Sequence, residues 1–163
     1  MRIAVLADIH GNVLALDAVL ADLERRGGAD LTINLGDCVS GPLWPRETFE
    51  RLEALDLPTV RGNHDRRVAI DPADETMWAS DRYAQERLTP AQREALFALP
   101  FMLEIIPGVV AFHARPDHDE KYLLDAIVEA NWCARRLRLF SGGWSRSTPP
   151  AASCCAATAT AQS

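Results

Sequence analysis

The chain has 163 residues, the length of one domain, and a chain of this size buries roughly two-thirds of its unfolded surface on folding. Its 48% hydrophobic and 25% charged residues, with 10 Pro and four Cys, exclude the disordered, collagen-like and disulfide-framed classes. A net charge of −6 argues against general binding to nucleic acid or membrane surfaces, and no apolar run approaches the roughly 18 residues of a membrane span.

In chain order, Arg2–Ala7 reads as a strand whose apolar run marks burial on both faces of a parallel sheet. The run stops at Asp8, too short for a signal-peptide core, so a cytoplasmic protein is expected. In that compartment Cys38, Cys133, Cys154 and Cys155, which form no CxxC pair, are expected to be free thiols. Val13–Arg26 follows as a helix with Val13, Leu16, Leu20 and Leu23 on one face, closed at Gly27 and Gly28. Leu31–Leu35 is the second strand, and Pro45 opens a helix carrying Phe49, Leu52 and Leu55.

Pro58–Arg61 is a third short strand. Thr89, Pro90 and Gln92 form a capping box with Pro at the first helical position, which predicts a helix over Pro90–Leu99. Trp78, Tyr83, Leu88, Leu96 and Phe97 make an apolar insertion expected to pack on the core, with a cap over the functional site as the alternative. Phe101–Ile106, the Pro107-Gly108 turn and Val109–His113 read as a β-hairpin. The spacing of Tyr122, Leu123, Ala126, Ile127 and Ala130 predicts a helix over Asp119–Arg136. The sum is an α/β protein with a mixed or second sheet.

The tail differs from the body. All 23 acidic residues precede Ala130, and the last 33 residues carry only four Arg as charge. The expected domain therefore covers 1–140, with 141–163 an atypical low-complexity tail outside the fold.

Chemistry collects where the early strands end. Strand one runs into Asp8-Ile9-His10-Gly11-Asn12, strand two into Gly36-Asp37, and strand three into Gly62-Asn63-His64-Asp65. Loops at the carboxyl ends of adjacent parallel strands converge on one crevice. What converges is a set of oxygen and nitrogen donors without a thiolate, which suits Mn, Fe, Zn or Ni better than Ca or a structural zinc site. One carboxylate between two such groups can bridge two metals, the arrangement that activates water and neutralises phosphate oxygens together. Cys38, beside Asp37, reads as a small buried residue, His118 as a solvated side chain in an acidic loop, and Arg66-Arg67 as a surface pair.

Asp8 to Asn12 (DIHGN), Gly36 to Pro42 (GDCVSGP), Gly62 to Asp65 (GNHD) and Phe112 to Pro116 (FHARP) together resemble the calcineurin-like metallophosphoesterase superfamily, in its small bacterial phosphodiesterase branch, over about residues 1–130. The resemblance implies an α/β/β/α sandwich and two divalent metal ions, Mn first, with Fe, Zn or Ni as alternatives. It implies Asp8 and His10 on the first ion, Asp37 as bridge, and Asn63 with His113 on the second. His64 would be the general acid that protonates the leaving oxygen, with Asp65 fixing its orientation and raising its pKa. The activity implied is hydrolysis of phosphodiesters or phosphomonoesters by a two-metal-activated water, on a small phosphorylated substrate.

The sequence departs from the family in having no Gly-His-x-His after His118, which leaves each ion one protein ligand short and the second sheet incomplete. Residues Ala156–Thr160 can be written in GC-rich codons that, shifted by two bases, read Gly-His-Ser-His, so a truncation or change of reading frame past about Asn131 is one expectation. The alternative reading of function is an inactive truncated domain or a non-catalytic metal-binding module. An open hairpin edge also predicts marginal stability, with a thermal midpoint below about 65 °C.

Overall fold

The computed structural model describes residues 1–70, 77–121, 123, 125–128 and 131–134. Its elements run β1 (Ile3–Leu6), α1 (Val13–Arg25), β2 (Leu31–Asn34), α2 (Pro45–Leu55), α3 (Asn63–Ala69), α4 (Ala79–Arg87) and α5 (Pro90–Ala98). Four short strands follow: β3 (Met102–Ile106), β4 (Val109–Phe112), β5 (Asp125–Val128) and β6 (Asn131–Ala134). The mixed α/β class read from the sequence holds. The chain divides into two compact units, Met1–Lys121 and Tyr122–Ser163.

β1 and β2 pair in parallel, Ile3 opposite Leu31 and Leu6 opposite Asn34. The third strand expected at Pro58–Arg61 shrinks to one parallel bridge between Asn34 and Thr59, held by Asn34 N to Pro58 O and Val60 N to Asn34 O. Helix starts follow the local chemistry. Asn12 accepts from Ala15 N at the head of α1, Pro45 occupies the first turn of α2, and Thr89 and Gln92 exchange side-chain to backbone bonds at the head of α5.

Two apolar clusters fill the first unit. Val39, Phe49, Val68, Leu88 and Leu96 pack where the helices meet, and Ile33, Val60 and Ala111 join the parallel strands to the β3–β4 hairpin. That hairpin forms where the sequence placed it, with Met102 opposite Phe112 and a register shift between Glu104 and Ile106.

Several expectations fail. Val5 is 55% exposed, so β1 is not buried along both faces; an apolar run marks a strand without supplying the layers that cover it. In the insertion Leu88 and Leu96 are buried, whereas Trp78 and Phe97 are 59% and 53% exposed. The helix expected over Asp119–Arg136 is replaced by antiparallel β5 and β6, with Asp125 opposite Ala134 and Val128 opposite Asn131. Ile127, Val128 and Trp132 favour a pleated strand, and apolar spacing over so short a stretch fits either structure. The tail at 141–163, including Cys154 and Cys155, lies outside the described residues. No helix among the described residues is long and apolar enough to cross a membrane.

Candidate metal centre and active site

The parallel ladder continues past the ends of its strands. Leu35 N bonds to Leu6 O at 2.8 Å, Asp8 N to Gly36 O, His10 N to Asp37 O and Gly11 N to Cys38 O, each at 3.0 Å. The loops carrying Asp8, His10 and Asp37 are thereby zipped side by side. All three residues hold left-handed backbone, with φ of 54°, 48° and 56°. Such conformations cost non-glycine residues energy and persist where the surroundings over-determine them, most often at functional sites.

The donor atoms of Asp8, His10 and Asp37 all lie within 4.8 Å of one another. His10 Nε2 stands 3.7 Å from Asp8 Oδ1 and 3.8 Å from Asp37 Oδ2. The same Asp37 oxygen is 3.4 Å from His113 Nε2, which in turn meets Asn63 Oδ1 at 3.1 Å. Five residues read as ligands therefore converge in one place, with the Asp37 carboxylate between two imidazoles.

Their surroundings fit metal ligation. Each ring nitrogen Nδ1 is fixed on a backbone carbonyl, His10 on Ser40 O at 2.6 Å and His113 on Leu35 O at 2.7 Å. A ring held in this way turns Nε2 toward the cluster, the arrangement that orients histidine ligands. Cys38 is not among the donors: its Sγ is buried beside Asn34 Nδ2, and burial pushes its thiol far up.

Burial alone would raise the Asp37 carboxyl. The hydrogen bond and charge of His113 outweigh it, with help from the His64 N–H, and hold the group below its ordinary value. Burial likewise disfavours the His113 imidazolium, but Asp37 prevails and lifts it to about 9. A folded pKa raised from 6.5 to about 9 contributes stability that is complete below 6.5 and lost as pH rises through about 9. The metal-free chain is therefore expected to lose urea midpoint across that window, and His113→Gln to flatten the profile. A midpoint that rises over the same interval in chelator would contradict the pairing.

His64 and Asp65 sit in the first turn of α3, where the sequence reading had a loop. His64 N donates to Asp37 Oδ1 at 2.9 Å. Asp65 does not touch the His64 ring. Its carboxylate accepts from the backbone N–H of Asp37 and Cys38, each at 2.8 Å, and of Gly62 at 3.0 Å. Burial, with the nearby Asp37 charge, raises its pKa against those bonds. Asp65 thus pins the Asp37 loop to the start of α3, and among the described residues no hydrogen bond joins it to the His64 ring. Asp65→Asn, which turns one acceptor into a donor facing an N–H, is expected to cost about 2 kcal/mol in chemical denaturation.

The partner of His64 is Asp81, on α4: its Oδ1 lies 2.7 Å from His64 Nδ1. This bond is the largest cause of the raised His64 pKa; burial opposes it and the charge of Asp37 adds to it. Trp78 packs edge-on against His64, with ring centroids 5.2 Å apart, and Arg67 lies over the indole. Arg66 pairs with Asp119 at 2.7 Å and Arg67 with Glu120, so the two Arg clasp the acidic loop. His118 sits in that loop, half-exposed, with Nδ1 accepting from Glu120 N.

Carboxylate, amide and imidazole donors gathered without a thiolate suit a divalent metal ion in an α/β protein. The chain belongs to the calcineurin-like phosphoesterase family, which it matches over residues 1–131. It is 35% identical to an uncharacterized protein of Methanocaldococcus jannaschii, covering 78% of this chain and 56% of that protein. A metallophosphoesterase from Sphaerobacter thermophilus superposes with a TM-score of 0.64 at 31% identity, covering 78% of this chain and 52% of the other. A hypothetical protein from Pyrococcus horikoshii OT3 gives 0.65 at 27%, with coverages of 76% and 59%. The chain thus spans little more than half the length of these relatives.

Proposed function

We propose that the protein is a metal-dependent phosphoesterase that hydrolyses phosphodiesters or small phosphomonoesters. The observation that carries this reading is the Asp37 carboxylate oxygen set between the Nε2 atoms of His10 and His113. Asp8, His10 and Asp37 would hold one ion, and Asp37, Asn63 and His113 a second. Two divalent ions, Mn in first place and Fe, Zn or Ni as alternatives, would activate water and neutralise phosphate charge.

The chain's own groups do the rest. The carbonyls of Ser40 and Leu35 keep both imidazoles aimed at the cluster. His64, held beside Asp37 by its backbone N–H, supplies a proton to the leaving oxygen as the P–O bond breaks. The working domain is residues 1–140, with 141–163 outside it; the family match over residues 1–131 falls within that range. A free buried thiol at Cys38 fits a reducing, cytoplasmic setting.

The test is hydrolysis of a chromogenic phosphodiester and its monoester by the 163-residue chain with Mn²⁺, beside His64→Ala. Turnover that needs Mn²⁺ is expected, with a loss in His64→Ala that is larger on an alkyl ester than on the chromogenic one. Metal bound without turnover would favour the second reading, a metal-binding domain without catalysis.

A further inference from the structure

We propose that Asp81 is the positioning residue for the His64 imidazole, and that Ser40 holds Asp81 in that role. The proposal rests on the general-acid reading of His64 given above. Asp81 lies in the first turn of α4 and is 0% exposed. Burying a carboxylate is costly unless strong bonds compensate it, so its partners reveal its use. Oδ1 takes both His64 Nδ1 and the Ser40 hydroxyl, while Oδ2, also buried, has no hydrogen-bond partner. The carboxylate is therefore committed to the imidazole and its neighbour rather than to capping α4 or pairing with a cation.

The geometry also fixes the proton. Ser40 has one hydroxyl hydrogen and gives it to Asp81 Oδ1. At 3.4 Å from His64 Nδ1 the Ser40 oxygen is left as a weak neighbour. The Asp81 carboxylate is acceptor-only, so Nδ1 of His64 must be the donor, and Nε2 is the nitrogen that exchanges a proton with substrate. When water attacks phosphorus and the P–O bond to the leaving group breaks, the electron pair passes to the leaving oxygen. That oxygen takes the proton from Nε2, and the ring is left neutral with Nδ1–H still on Asp81. Without Asp81 the ring loses the acceptor that fixes its Nδ1 proton, and the proton can sit on either nitrogen.

Nuclear magnetic resonance of the chain with ¹⁵N-labelled histidine tests this, with the His64 ring signal identified by its disappearance in His64→Gln. In the wild-type chain His64 is expected to carry a proton on Nδ1 protected from exchange, and in Asp81→Ala that signal is expected to vanish while the backbone amide spectrum persists. Survival of the signal in Asp81→Ala would overturn the proposal. So would a wild-type His64 with no proton on Nδ1, a result that needs no variant to fold.

A second readout uses the leaving group. Turnover of an alkyl phosphodiester, whose alkoxide needs the proton, is expected to fall about 100-fold in Asp81→Ala, and that of a p-nitrophenyl ester less than about 10-fold. Equal losses on both would mean a merely structural role and overturn it. A chain with the protected Nδ1 proton but no turnover on either ester would refute the phosphoesterase reading while supporting the Asp81–His64 pairing. Turnover without that proton would refute the pairing alone.

Discussion

Asp37→Asn is expected to weaken divalent-metal binding by more than about 100-fold, because even residues behind metal ligands cost 10- to 100-fold when replaced. The substitution is clean on structural grounds. Asn keeps the Oδ1 that accepts from His64 N, and Asn is among the few side chains that tolerate the left-handed backbone found at position 37. What it removes is the charge between the two imidazoles, which also lifts His113. Calorimetric titration of the metal-free chain with Mn²⁺ reads the effect, and Mn²⁺-dependent ester hydrolysis should disappear with it. An affinity unchanged within a few-fold would mean that the carboxylate is not a ligand.

Gly36→Ala is expected to destabilise the chain by about 4 kcal/mol, from overpacking and left-handed strain together. Gly36 has φ of +94°, and a Cβ there would lie 2.7 Å from Val60 O and 2.9 Å from Gly62 Cα, with Gly62 N closer still. All three are backbone atoms that cannot rotate away. The close approach exists because the loop after β2 and the start of α3 are drawn together by Asp65, so relief would require breaking those bonds. Against a total stability of roughly 5–15 kcal/mol, that is a large fraction. Urea unfolding of the metal-free variant measures it, and a loss under about 1 kcal/mol would show that the loop can move apart.

The first half of the fold was legible because its signals are local. Asn12, Pro45 and the Thr89–Gln92 pair each announce a helix start within a few residues, and the left-handed donors follow apolar strands directly. The five residues proposed as ligands were picked out by the same local signals, together with the resemblance, and the structure brings them together. Asp81 was not, because Ala79–Arg87 is polar along most of its length and one more Asp in it reads as solvated. The signal that could have found it is its face: Asp81, Ala84 and Gln85, at i, i+3 and i+4, are all buried. Asp65 was tied to the His64 ring by the resemblance alone, whereas in a helical turn neighbouring side chains diverge. The second unit was misread because its short apolar spacing satisfies strand and helix alike.

The ladder that runs on from β1 and β2 into their loops has a consequence for the order of events in synthesis. Asp8, His10 and Asp37 are all made within the first 37 residues and are joined by backbone bonds that need nothing downstream except the clamp of Asp65. The Asn63–His113 pair must wait for residue 113 to be made and for the hairpin to dock. Closing the longer loop costs more entropy and contributes to slower folding. A nascent chain growing from its N-terminus thus completes one half of the donor set early and the other late. Metal encountered between those moments would meet a half-built site, and selection among metals would begin before the protein is finished.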